Sequence, residues 1–164
     1  KWKMDFYYPN FQNDMWRIFG LVFFNNKDYF LMDDRKAFNK DLIVEFLTEK
    51  GIALFDTAQV VRRLKGNASD NFLEIVEPVN IQPLLDKIPQ CSVLVTTGEK
   101  ATDTLRSLFP GVTKKPTIGK YMEVEYNKRY FHFYRMPSSS RAYPLPLEEK
   151  AAIYSRLFSE TGLL

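Results

Sequence analysis

The sequence predicts an α/β protein, a three-layer α/β/α arrangement around a mostly parallel central sheet of about four strands. Three observations predict it. Apolar residues recur at helical spacing in several stretches. Between those stretches lie short apolar or β-branched runs, at residues 52–55 and 92–97, that read as buried strands. Helices and short strands alternate along the chain, which favours parallel strands joined by crossovers and covered on both faces. The 164 residues suit one domain with one core. No repeat, low-complexity tract or second domain is visible.

Taken in order, residues 5–12 are aromatic and irregular. A helix starts near Asn13, with Met15, Ile18, Phe19, Val22 and Phe23 on one face. Phe38, Leu42, Ile43, Phe46 and Leu47 predict a second helix, stopped at Gly51. Residues 52–55 read as a short buried strand ending at Asp56. A short helix is expected near residues 59–64, then a polar loop over 65–71. Asn80 caps a helix bearing Ile81, Leu84, Leu85 and Ile88, where Pro83 is tolerated in the first turn. Residues 92–97 read as an interior strand that turns at Gly98 into a helix marked by Ala101, Leu105, Leu108 and Phe109. Two strands pair around Asn127-Lys128. A Ser/Pro loop follows over residues 136–146, and Leu147, Ala151, Tyr154 and Phe158 mark the last helix. Sites on such folds gather at the carboxyl ends of strands, so Asp56, Thr97-Gly98 and Met136-Pro137-Ser138 are expected along one rim.

Composition narrows the chemistry. Aromatic residues make up 15%, which serves core filling or stacking on flat ligands, and composition favours the core. The net charge of +3 permits a polyanion partner without demanding one. The single cysteine, Cys91, cannot form an intrachain disulfide and fits a reducing cytoplasm. It also excludes a zinc or iron–sulfur site built from this chain's cysteines. His132 is the one histidine, placed in a strand-like Phe131-His132-Phe133, so it reads as a packed residue rather than a catalytic base. No apolar run approaches the ~18 residues of a membrane span, and no signal peptide opens the chain.

Three places can carry chemistry. The first is Phe6-Tyr7-Tyr8 followed by Asn13. Rings stack on a flat heterocycle while a carboxamide reads its edge. The alternative, preferred on these residues alone, is that Asn13 caps its helix and the rings pack on the core. The second is Arg135-Met136-Pro137-Ser138-Ser139-Ser140-Arg141, following a strand, where small hydroxyls, backbone N–H groups and an arginine can grip phosphate. A simple turn of the chain explains it equally well. The third is Asp56 with Arg63 and the polar Asn67-Ala68-Ser69-Asp70, where a capping role for the aspartate is favoured over a general base.

Together these pieces resemble the uracil-DNA glycosylase superfamily. The nearest branches are the mismatch-specific uracil/thymine-DNA glycosylases and the hypoxanthine-DNA glycosylases. Tyr7-Tyr8…Asn13-Asp14-Met15-Trp16 is similar to their Tyr-Tyr…Asn-x-Phe-Trp stretch, and Gly51-Ile52-Ala53-Leu54-Phe55-Asp56 to a Gly-Ile-Ala-Leu-Trp-Asp strand. Arg63 and Ala68-Ser69-Asp70 echo an Arg and a Ser-x-Asp loop. Thr97-Gly98-Glu99-Lys100-Ala101 matches a strand-ending Gly followed by Lys-Ala, and Met136-Pro137-Ser138-Ser139-Ser140-Arg141-Ala142 a Leu-Pro-Ser-Thr-Ser-Pro-Ala loop. The superfamily's first strand and its Gly-x-x-Pro-Gly-like motif belong upstream of Lys1, so residues 1–164 are expected to be one such domain without them. Met136 stands where uracil-specific branches place a His or Asn donor, whereas the hypoxanthine-like branch has an apolar residue there.

The resemblance implies a monomeric cytoplasmic enzyme of base excision repair. It would flip a deaminated or mismatched base (uracil, hypoxanthine or thymine) out of DNA and hydrolyse its N-glycosidic bond. Asn13 would be the catalytic residue, contacting the base or orienting the water. Phe6, Tyr7, Tyr8 and Met136 would line the base. Ser138, Ser139, Ser140, Arg141 and Arg63 would bind DNA, with Arg141 filling the gap in the duplex. No metal or cofactor is implied, and neither a membrane nor an obligate protein partner. A lesion binder that does not cut, a nucleoside or nucleotide hydrolase, and an interaction scaffold are the alternatives.

Overall fold

Met15, Trp16, Ile18 and Phe19 form the buried face of the first expected helix, and in the computed structural model that helix runs Met15–Phe24 (α1). The structure describes residues 4–56, 58–63, 73–78 and 80–164, with only the backbone path considered for 58–63 and 73–78. The chain is mixed α/β and divides into two compact units: Lys1–Leu54 with Ser139–Leu164, and Phe55–Ser138.

The first unit is held by aromatic rings. The other helices are α2 at Lys40–Lys50 and α5 at Leu147–Glu160, and α5 lies against α1. Phe19 meets Phe46 at 6.0 Å and Phe158 at 5.4 Å, both edge-on, and Phe23 meets the same two rings at 4.8 and 4.9 Å. Edge-to-face contacts add to the burial of these large side chains. Gly20 has a packing reason: a Cβ there would collide with the carbonyl oxygen of Asn26. The side chain of Asn39 accepts a hydrogen bond from the Leu42 N–H, and Gly51 ends α2 with φ of 71°. Phe38, expected inside that helix, therefore precedes it, buried and bridged to Leu31. Residues 52–55 do not form the expected strand; Phe55 is 56% exposed. A short apolar run becomes a strand only with a neighbour to pair, and none pairs with it among the described residues.

The described residues of the second unit carry five strands. Two of them, β1 (Ala58–Arg63) and β2 (Leu73–Pro78), form an antiparallel pair with an irregular register near Val60. Where a helix was expected at 59–64, residues 59–63 are therefore strand, consistent with the β-branched Val60-Val61 at its centre, and residue 64 lies outside the described residues. The polar loop expected at 65–71 lies outside the described residues. Next come α3 (Ile81–Asp86), β3 (Val93–Thr97), α4 (Glu99–Ser107), β4 (Tyr121–Tyr126) and β5 (Arg129–Met136). As expected, the Asn80 side chain accepts from Gln82 N at the start of α3.

The last three strands form a sheet in the order β3-β5-β4, with β3 parallel and β4 antiparallel to β5. Asn127 and Lys128, at φ of 49° and 64°, make the two-residue turn the sequence marks. β3, read as an interior strand, is at the edge of this sheet, and Val95 is 43% exposed. Its β-branched composition reflects packing on one face, not burial on both. That face holds the unit's core: Ile81, Leu85, Leu105, Phe109, Val124, Phe131 and Phe133. Arg129 ties α3 to the sheet, donating to the carbonyls of Leu85, Ile88, Pro89 and Cys91 at 2.8–3.2 Å. Among the described residues no helix is long and apolar enough to cross a membrane.

Candidate functional site

Two sequence-distant segments meet in the first unit. Asn13 forms an isolated antiparallel bridge with Ser140. The Asp14 N–H donates to the Ser139 carbonyl at 2.7 Å, and the Arg141 N–H donates to the Gln12 carbonyl at 2.8 Å. The stretch behind the aromatic run and the Ser loop before α5 are thus stitched through their backbones. These are two of the three places the sequence singles out.

Asp14 sits at the centre of this junction, 5% exposed. Its Oδ1 accepts from Arg17 at 3.0 Å and from Arg141 Nε at 3.2 Å, and its Oδ2 lies 3.5 Å from Lys150 Nζ. Three cations share one carboxylate. Arg17 is locked, donating also to the Phe11 and Asn13 carbonyls, with its guanidinium over the Phe11 and Phe38 rings. The side chain of Lys150 is 1% exposed and donates to the Ser140 carbonyl at 2.9 Å. Arg141 is the one that reaches solvent, its side chain 52% exposed. An excess of positive charge with one exposed guanidinium is suited to an anion such as a phosphate.

The rings expected to stack on a base are half-buried. Phe6 and Tyr8 pack on Trp16 at 6.1 and 6.0 Å, Phe6 meets Tyr7 at 5.2 Å, and Trp16 Nε1 donates to the Tyr7 carbonyl. They use part of their surface to cover the core and leave part open. Tyr8 holds φ of 53°, a backbone conformation that bulky residues seldom adopt. Asn13 does serve the helix: its Oδ1 accepts from Met15 N at 2.9 Å.

The remaining candidates are placed as follows. Ser139 is 2% exposed, Ser140 is half-buried with Oγ accepting from Ala142 N, and Ser138 is half-buried. Met136 is fully buried at the carboxyl end of β5, where its carbonyl accepts from Gly98 N at 3.0 Å. The expected rim is thus present in part, with Gly98 beside Ser138 at the ends of β3 and β5. A Cβ at Gly98 would meet Ser138 at an ordinary 3.6 Å, so its φ of 89°, not lack of space, calls for glycine. Arg63 ends β1 and its side chain lies outside the described residues, as do residues 67–70. Asp56 is exposed in the solvent-accessible surface, yet neighbouring groups desolvate its carboxyl enough to raise its pKa. Among the described residues no three His, Cys, Asp or Glu side chains gather as a metal site requires.

Sequence reasoning missed the roles of Arg17 and Lys150. Lys150 had a signal: it falls on the apolar stripe of α5, with Ala151, Tyr154, Leu157 and Phe158. A lysine there is buried only with a partner.

Tyr154, on the same stripe, is held well above its ordinary pKa of 10.0 by burial, and the Tyr8 phenol adds to the effect. The sign follows from linkage. Above pH 10.0 the unfolded chain loses this proton while the folded one keeps it, so stability falls as pH rises. Urea denaturation is expected to show a midpoint that drops above that pH in the native chain and drops less in Tyr154→Phe.

No family model, no curated protein and no solved structure matches this chain.

Proposed function

We propose that this chain is a DNA glycosylase of the uracil-DNA glycosylase superfamily, removing a deaminated or mismatched base in base excision repair. The observation that carries the reading is the Asn13–Ser140 bridge. It joins an aromatic, amide-bearing segment to a cationic Ser loop, the two components needed to hold a flipped base and the phosphates beside it.

In this reading the enzyme pinches the duplex at residues 138–141, and Arg141 contacts the strand or fills the gap. The base enters against Phe6, Tyr7 and Tyr8. Extrusion costs a few kcal/mol, least for a mispaired base, which contributes selectivity. The glycosidic bond breaks through an oxocarbenium-like transition state. Water adds to the sugar carbon, and the departing base takes the bonding electrons and is then protonated. Asn13 orients the water or the base through its amide. The same reading extends the sheet to about four mostly parallel strands in three layers, and has the protein act as a cytoplasmic monomer without a metal.

A lesion binder that does not cut is the second reading. The Oδ1 of Asn13 is already taken by Met15 N, and Met136 offers no hydrogen bond, which favours it.

Labelled duplexes carrying uracil, hypoxanthine or a G·T mismatch, incubated with the protein and then treated with alkali, separate the readings. Cleavage at one lesion is the expected outcome and names the base. Intact strands with a retarded, lesion-preferring complex would establish the second reading. Neither cleavage nor binding would overturn both.

A further inference from the structure

The sheet of the second unit has two unlike faces. One is the apolar core face. On the other, the strand register aligns Tyr121 with Tyr134, Glu123 with His132 and Glu125 with Tyr130, and sets Val93 and Val95 beside His132 and Tyr134. This face is open over much of its area: Tyr130 is 73% exposed, Tyr121 45% and Val95 43%. His132, expected to be packed, is stacked on Tyr121 at 4.2 Å and 13° with its side chain 45% exposed. Ser92, Glu123, Tyr130, Phe131 and His132 line an open cleft of about 350 Å³ there.

The charge on this face is one-sided. Its strand positions carry two carboxylates and no lysine or arginine. Arg129 and Arg135 sit at alternate positions of β5 and belong to the core face. The Glu123 side chain is 80% exposed and its carboxylate lies 3.8 Å from His132 Nε2, beyond hydrogen-bond distance. Aromatic rings interleaved with carboxylates repel a phosphate backbone and attract a flat cation.

We propose that this face docks an arginine-bearing segment of a partner protein. A guanidinium lies flat on a tyrosine ring while its edge N–H groups reach a carboxylate, a combination an ammonium cannot match. Tyr130 has Glu125 directly across the strand pair and Glu123 on the diagonal, roughly 7–8 Å away and within reach of one guanidinium. Val93 and Val95 give the aliphatic stem of the arginine an apolar rest. The surface shares no residue with the Asn13–Ser140 junction, and the proposal stands whether or not the chain cuts DNA.

The test is an NMR titration of the isotope-labelled chain with a short peptide alternating Gly and Arg, beside its Gly and Lys counterpart. The Arg peptide is expected to move the amide signals of Val93, Val95, Glu123, Tyr130 and His132, and to bind a few-fold tighter than the Lys peptide. The double variant Glu123→Gln/Glu125→Gln is expected to weaken it about tenfold, and Tyr130→Ala several-fold. All three substituted side chains are exposed, and unchanged thermal melts would separate lost binding from lost folding. The proposal fails if millimolar peptide moves none of these signals, or if the Gln variant binds as well as the native chain. It fails equally if the same signals move with protein concentration alone, which marks a second copy as the occupant. Stronger shifts from a single-stranded oligonucleotide would make the face a base-stacking platform instead.

Discussion

Asp14→Ala is expected to lower folding stability by about 3–5 kcal/mol, the usual cost of removing one partner from a buried ion pair. The reason lies in Lys150. Its side chain is 1% exposed, so without the carboxylate its charge has only the Ser140 carbonyl for a partner. Arg17 keeps its bonds to the Phe11 and Asn13 carbonyls, and Arg141 turns to solvent, so neither adds much to the loss. Lys150→Met is expected to be far milder, because Asp14 keeps both arginines and the methionine lies on an apolar stripe. The double variant Asp14→Ala/Lys150→Met then recovers most of the loss. Urea denaturation of the four proteins measures all of this. Equal costs for the two single changes would mean that Lys150 discharges or rearranges when its partner is gone.

The second large effect follows from the proposed glycosylase reading. Asn13→Ala is expected to slow single-turnover cleavage of the preferred lesion by about 10²–10³-fold, the range for removing a group that acts at the transition state. The same change deletes a helix-start hydrogen bond, with a stability cost of roughly 1 kcal/mol. Asn13→Ser separates the two roles. Its hydroxyl can accept from Met15 N and restore stability, but it has no amide to position water or a base. Cleavage that stays slow in a chain of native stability would place Asn13 in the chemistry. Cleavage restored along with stability would leave it a helix-capping residue and move the catalytic role elsewhere.

The helices were legible in the sequence wherever apolar spacing met a cap. Gly51 ends α2, Asn80 opens α3, and Asn127-Lys128 closes the β4–β5 turn, each through local backbone chemistry, whereas the Asn39 cap that starts α2 after Phe38 was not read. What local pattern does not encode is pairing. Residues 52–55 look like a buried strand but have no strand partner among the described residues, and Val60-Val61 joined β2 instead of forming a helix. The candidate site was legible in outline, because the aromatic-Asn stretch and the Ser loop both stood out and do meet. The buried charge between them was not. It depends on Asp14 and Lys150 being brought together from opposite ends of the chain, and no window of sequence contains both.

That separation bears on how the protein is made. The unit from Phe55–Ser138 is continuous and can close as soon as it leaves the ribosome. The other unit cannot. Its first 54 residues emerge early, yet Phe19, Phe23 and Asp14 find Phe158 and Lys150 only after α5 is synthesised. Until then the phenylalanine-rich pair α1 and α2 lacks the rings that α5 brings. Removal of α5 is therefore expected to unsettle this unit more than the continuous one.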